Sequence, residues 1–301
     1  MKKSISNDLI DLQGYICLEL EKLDGLGHFK QDDWIREEGG GGRTNTILNG
    51  KIIEKGGVAF SEVYGNVTPE MKNQLGIDGS SFFATGLSIV LHPKSPHIPI
   101  IHMNIRFFEF DNKNYWFGGG IDLTPHYVIP YNAAIFHNDL KNICDTYSLE
   151  FYQKFKSWAD DYFFNAHRCE TRGIGGIFFD HLSHKSTLLP KETLFEFCME
   201  LGKAFPKIYK KQVELGKNIE ISEINRTWQQ LRRGRYVEFN LVHDRGTKFG
   251  LISGGRTESI LLSMPPTANW VYGYQAFENS AEQETLDWLR KDVDWLSFMN
   301  N

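Results

Sequence analysis

Residues Pro99 to Glu109 read PIIHMNIRFFE, and this stretch decides the architecture. Ile101, Met103, Ile105 and Phe107 alternate with His102, Asn104, Arg106 and Phe108. Successive side chains on a strand point to opposite faces, so one face is aliphatic and the other carries an imidazole, an amide and a guanidinium. From the imidazole to the guanidinium the strand covers about 13 Å at roughly 3.3 Å per residue. Such an alternation usually marks a solvated strand surface. The neighbouring sequence favours a pocket wall here, because the strand ends in FFEF and leads to Tyr115–Trp116–Phe117–Gly118–Gly119–Gly120.

Outward from this strand, residues 50–123 have the same texture. Leu87, Ile89 and Leu91 share one side of a second strand that carries Ser88 and His92. Leu9, Leu12, Ile16, Leu20 and Leu23 recur at three- and four-residue steps, which predicts a helix over the first 25 residues. A helical pair is predicted over 132–168, broken near Tyr147–Ser148, with Ser148 as N-cap of the second helix. A strand over 174–180, a helix over 191–215 and a last helix over 280–291 follow. Strands are expected at 235–243 and 257–264, flanking a turn at DRGTKFGL. Strands come in runs with few strand–helix–strand alternations, so the fold class is α+β: a mostly antiparallel sheet covered by helices, in one domain spanning 1–301.

Composition narrows the function classes. The 301 residues carry 41% apolar and 24% charged residues, with mean hydropathy −0.38, which excludes a disordered chain and a multispanning membrane protein. The longest apolar runs are too short to span a bilayer, and no apolar segment follows Lys2 and Lys3, so no secretory signal is expected. Cys17, Cys144, Cys169 and Cys198 lie far apart without a CxxC pair, the pattern of a reduced, cytoplasmic protein. A net charge of −5 gives none of the basic excess of a nucleic-acid binder.

Three further constellations stand out. In 232–256, Arg232, Arg233, Arg235, Arg245 and Arg256 gather beside Glu238 and Asp244, and guanidinium forks suit carboxylates. RGIGGIFFD at 172–180 places glycines before a strand, not between strand and helix, so it is no dinucleotide fingerprint. GGGGRT at 39–44 lacks the Lys–Ser/Thr of a phosphate loop. Among the ten histidines, His92 and His102 sit on neighbouring strands. His137 and His167 would be about 45 Å apart on one straight helix, so they share a site only if the chain folds back or a second subunit contributes.

The strings WIREEGGGGRT (34–44), EKGGVAFS (54–61), SIVLHP (88–93), IIHMNIRFFE (100–109), WFGGGIDLTPHY (116–127), HRCETRGIGGIFFD (167–180), RRGRYVEFNLVHDRGTKFGL (232–251) and GGRTESILLSMPP (254–266) closely resemble the oxygen-dependent coproporphyrinogen III oxidases of haem biosynthesis. The resemblance covers about residues 30 to 270. It implies a large antiparallel sheet with helices on both faces, in a homodimer. The implied reaction is oxidative decarboxylation of two propionates of a tetrapyrrole to vinyl groups, with dioxygen as co-substrate. It also implies carboxylate clamps at Arg106 and Arg256 and substrate contacts at Ser88, Asn104, Ile105, Gly254 and Gly255. His102 matches a proton donor, and Asp244 or Asp180 would take the pyrrole N–H groups. Bacterial relatives imply a divalent metal, manganese or similar, on His92, His102, His137 and His167; eukaryotic relatives imply no metal or organic cofactor. Two positions depart from the family: His126 after LTP, and His181 after FFD where a second Asp is common.

Overall fold

The computed structural model describes residues 2–69, 71–72, 79–111, 114–252 and 256–300. The strand read above is β5 (Ile100–Phe110). It lies in a seven-stranded sheet with β1 (Lys30–Ile35), β2 (Gly40–Leu48), β3 (Ile53–Asn66), β4 (Ser81–Pro93), β6 (Asn114–Thr124) and β7 (Gly176–Leu182). The strands stand side by side in sequence order, and every pairing is antiparallel. The sheet starts earlier than the 50–123 texture indicates. Gly39 and Gly40 turn the β1–β2 hairpin at φ of 121° and 95°, a region open to glycine and strained for other residues, so GGGG is turn chemistry.

The aliphatic face of the sheet is covered by α1 (Lys2–Asp24), α2 (Pro130–Tyr147) and α4 (Lys191–Gly216). Leu9, Leu12, Ile16 and Leu20 of α1 are buried there with Ile101, Met103, Ile105 and Phe107 of β5. Each fully buried side chain of this size contributes about 1.5–3 kcal/mol relative to exposure, so this face carries most of the hydrophobic stabilisation. Between α2 and α3 (Phe151–Tyr162), Ser148 closes α2 by donating its N–H to the Cys144 carbonyl, and it is not the N-cap of α3. His167 lies beyond α3, in a 3-10 turn over Ala166–Arg168.

The opposite face is covered by α5 (Glu223–Val242), α6 (Arg245–Ile252) and α7 (Thr257–Ile260), the last continued by a 3-10 turn over Leu261–Ser263. α8 (Ala281–Trp288) comes later. The strands expected at 235–243 and 257–264 are therefore helical. The reason is visible in α5. It starts in a capping box between Ser222 and Asn225, and its buried stripe runs Trp228, Arg232, Tyr236, Phe239, with Arg233 and Arg235 beside it. Arg232 pairs with Glu170 at 2.8 Å, Arg233 with Glu54 at 2.5 Å and Arg235 with Glu238 at 2.9 Å. A core stripe made partly of paired guanidiniums hides the helical period from any hydrophobicity pattern.

Candidate active site

Strand register places one row of side chains across the sheet on its polar face: Asp32, Thr44, Ala59, Ser88, Asn104, Gly120 and Phe178. The adjacent row on one side runs Trp34, Gly42, Ser61, Gly86, Arg106, Gly118, and on the other Lys30, Thr46, Gly57, Val90, His102, Asp122, Gly176. The middle of this face is thus paved with Gly, Ala and Ser. Ser88, on the central strand, is exposed although Leu87 and Ile89 beside it are buried. The cover of this face is thus interrupted at Ser88, and the gap is the candidate hollow for a ligand. Toward β7 it is edged by aromatic rings: Phe108 stacks on Trp116 at 4.5 Å, and Tyr162 of α3 stacks on Phe178 at 4.1 Å.

Two arginines flank the hollow. Arg106 Nη2 pairs with Asp180 Oδ2 at 2.8 Å, and both groups remain open to solvent at 43% and 25%. Gly118 lies directly beneath, where an added Cβ would come within 2.6 Å of Arg106 Nε and 2.7 Å of Asp180 Oδ1, so a side chain there would break the pair. Arg256, at the start of α7, pairs with Asp32 on β1, while its Nη1 is buried without a hydrogen-bond partner. Asn104 Oδ1 is likewise buried and unbonded. β1 and β5 stand four strand spacings apart, about 19 Å at roughly 4.8 Å each. Two guanidinium forks therefore stand on either side of the uncovered strip, far enough apart to meet separate carboxylates of one large ligand.

Farther along the same strand, His102 Nδ1 donates to Asp122 Oδ1 at 2.8 Å. Asp122 Oδ2 accepts from Arg172 Nη2 at 2.6 Å, and Arg172 Nη1 donates to Asn240 of α5 at 2.7 Å. The Arg172 guanidinium sits 4.5–4.7 Å from the ring centroids of Phe163, Tyr236 and Phe239. Burial pushes the Asp122 carboxyl up, but the Arg172 charge and the His102 hydrogen bond outweigh it and hold the carboxyl below its ordinary value. An ionised Asp122 fixes the orientation of the His102 ring. His102 is 18% exposed, and its Nε2 bonds to no described residue. This leaves Nε2 as the atom able to exchange a proton with a ligand on the polar face.

Asp244 stands at the end of α5. Its Oδ1 accepts from Tyr162 at 2.8 Å, and its Oδ2 accepts the N–H and hydroxyl of Thr247, closing the first turn of α6. It is close enough to act on Arg172 and Tyr236 electrostatically, and Arg106 acts on its partner Tyr162. Asp180 and Asp244 both border the hollow, Asp180 held by Arg106 and Asp244 by the helix start. Gly254 and Gly255 lie outside the described residues. The Ile105 side chain is buried on the aliphatic face, away from the hollow, so only its backbone belongs to the strand beneath the site.

One chain does not bring the four histidines of the metal set together. His92 and His102 share the polar face, but His92 is fully buried, Nε2 bonds the Ser263 carbonyl at 2.8 Å, and burial lowers its pKa to about 3. His137 belongs to the aliphatic-face layer, and both its nitrogens are taken, by Tyr152 and by the Ile174 carbonyl, each at 3.0 Å. His167 bonds His243 at 2.9 Å and Glu238 at 2.8 Å near the end of α5. Among the described residues no three potential ligands converge. Within one chain these donors do not fit a shared metal, because the sheet itself separates His137 from His92 and His102.

Asp122 and Arg172 are the residues that sequence reasoning did not single out. The signal was present in register: Asp122 stands directly opposite His102 once β5 and β6 are paired.

Comparisons with known proteins agree with this geometry. The profile described as coproporphyrinogen III oxidase matches residues 4–295. An oxygen-dependent coproporphyrinogen-III oxidase of Prochlorococcus marinus (strain NATL1A) is 45% identical over 96% of this chain and 89% of its own length. The mitochondrial oxygen-dependent coproporphyrinogen-III oxidase of Homo sapiens is also 45% identical, over 98% of this chain and 67% of its own length. By the extent of both matches, the chain belongs to the coproporphyrinogen III oxidase family.

Proposed function

We propose that the chain is an oxygen-dependent coproporphyrinogen III oxidase that binds its substrate flat on the polar face of the sheet. The observation that carries this reading is the paved hollow around the exposed Ser88, with Arg106 at one side and Arg256 at the other. Coproporphyrinogen III is an electron-rich tetrapyrrole with four carboxylates. Its ring suits a floor of Gly, Ala and Ser, and its carboxylates suit guanidinium forks. On binding, substrate carboxylates replace Asp180 and Asp32 at part of each fork, and the orphaned Arg256 Nη1 gains an acceptor.

In each oxidation one propionic acid side chain and O2 give a vinyl group, CO2 and H2O2. The C–C bond to the carboxyl breaks, a hydrogen leaves the carbon next to the ring with two electrons passing to O2, and atoms balance. The chain's residues hold the propionate beside the hollow and manage the proton. His102 Nε2 takes or returns it while Asp122 and Arg172 keep the ring oriented. Pyrrole N–H groups find carboxylate acceptors in Asp180 or Asp244. No step is routed through a metal, since the histidine set does not converge.

Two wider assignments accompany this reading. A homodimer is supported by exposed Ile35, Ile252, Tyr272 and Phe277, apolar surface of the kind that subunit contacts cover. Action in a reducing compartment such as the cytoplasm is supported by four free thiols, three of them buried. No described helix is long and apolar enough to cross a membrane.

The test is turnover. Purified chain with coproporphyrinogen III in air should release CO2 and form protoporphyrinogen IX, in chelator as well as without it. His102→Ala should lower kcat more than it raises KM. Absence of product in both conditions would reject the function, and a rise in KM alone would reduce His102 to a positioning role.

A further inference from the structure

The pairing of β6 with β7 contains an irregularity that changes what β7 shows to the site. Phe117 faces Leu182 and Gly119 faces Phe179, so Asp180 and His181 together stand opposite Gly118. Two residues against one is a β-bulge, a device that re-aims side chains. In a regular strand Asp180 would face the polar side and His181 the aliphatic core. Here His181 adopts φ of 49°, a left-handed conformation that is uncommon outside glycine but that histidine, like asparagine and aspartate, enters more readily than most residues. Its ring turns out onto the polar side and packs on Trp116 at 4.6 Å between centroids. The side chain is exposed, and neither ring nitrogen bonds to a described residue.

The strained backbone is held from both sides. The His181 N–H donates to Asp180 Oδ1 at 2.9 Å, and its carbonyl accepts from the Ser186 hydroxyl at 3.2 Å. Asp180 uses its other oxygen on Arg106. The bulge therefore sets an unengaged imidazole next to the Arg106–Asp180 pair. A carboxylate approaching Arg106 meets the negative charge of Asp180. A ring N–H on the following residue offers that carboxylate a second donor and offsets the repulsion.

Resting on the function proposed above, we propose that His181 is a substrate-contact residue which, together with Arg106, binds one propionate carboxylate of the tetrapyrrole. Trp116 fixes the plane of the ring, so the donor direction is set before substrate arrives. The bulge is the structural reason that β7 contributes two polar groups to the site where a regular strand would contribute one.

His181→Phe keeps an aromatic ring against Trp116 and removes the donor. His181→Asn tolerates the left-handed backbone and restores a donor. For coproporphyrinogen III, KM in His181→Phe should rise about tenfold, the loss typical of one hydrogen bond to a charged group, with kcat close to wild type and Tm somewhat lowered because phenylalanine enters the left-handed backbone less readily. His181→Asn should recover part of that loss. Wild-type KM in His181→Phe would overturn the proposal, and so would equal losses in both variants accompanied by a lowered Tm. Should the wild-type chain itself fail to turn over, the proposed function falls. Binding of coproporphyrin III, read by fluorescence quenching, then decides for His181: weaker binding in His181→Phe supports the contact, and unchanged binding removes it.

Discussion

On β5, Met103 is fully buried against helices, whereas Asn104, one residue later, lies on the polar face with a buried amide oxygen that bonds to no described residue. The same contrast repeats along β4 and β6. The aliphatic face is closed by α1, α2 and α4 chiefly with apolar side chains, with isolated polar groups such as Glu109, held by Lys2 and Lys191, between them. The polar face is closed by α5 and α7 with buried arginines, each paired to a carboxylate, and it leaves an uncovered centre. Alternate residues of one sheet thus divide the work: one set supplies stability, and the other holds charge in fixed positions. Paired buried charges add little net stability, but they set geometry, and geometry is what a site for carboxylates and protons requires.

If the two faces are separable in this way, damage to one should spare the other. The largest effect is expected from Phe179→Ala on the aliphatic face. Phe179 is fully buried, with ring contacts to Phe155 at 5.2 Å and Phe197 at 5.3 Å, and its truncation should cost about 3–5 kcal/mol in a urea titration. KM measured where the variant is still folded should stay at the wild-type value. A KM shift as large as that of a polar-face variant would dissolve the distinction.

Arg106→Ala and Arg256→Ala reverse the pattern. Each should weaken substrate binding by about 1.5–3 kcal/mol per lost charged hydrogen bond, toward the lower end for Arg106 because 43% of it is open to solvent. The urea midpoint should barely move. Wild-type KM in both variants would remove the clamps from the account.

The smallest effect sharpens the comparison at a carboxylate that staples the aliphatic layer. Asp24, at the end of α1, accepts N–H groups from Leu26, Gly27, Lys51, Ile52 and Ile53. Burial opposes its ionisation, but these bonds, Ile53 foremost, lower its pKa below the ordinary value. A lowered folded pKa adds stability that is present above the unfolded value, near 4, and disappears as pH falls through the folded one. Urea midpoints should therefore decline below about pH 4, and Asp24→Asn should be less stable at pH 7 with a shallower acid limb. An unchanged acid limb would mean that other carboxylates dominate it.

How far this division could be read from sequence depends on which face a residue serves. β5 was legible because its alternation is pure, and α1 because Leu9, Leu12, Ile16 and Leu20 keep a strict helical step. α5 was not. Its buried stripe includes Arg232, and the alternation of Val237, Phe239 and Leu241 mimics a strand while Leu241 is exposed. Arg106 and His102 were legible as candidates from residue type and local pattern, and Asp180 through the family resemblance. Asp122 and Arg172 were not, because their meaning lies in pairings to His102 and Asn240 across 20 and 68 residues of chain. The placement of the four histidines was hidden for the same reason: histidines on opposite sides of a sheet look equivalent until the sheet is built.

The most direct measurement is a crystal structure of the chain with coproporphyrin III bound. The account requires the macrocycle to lie over Ser88 and Asn104, with carboxylates within hydrogen-bond distance of Arg106 and of Arg256. A macrocycle seated elsewhere, with both arginines still on Asp180 and Asp32, would contradict it.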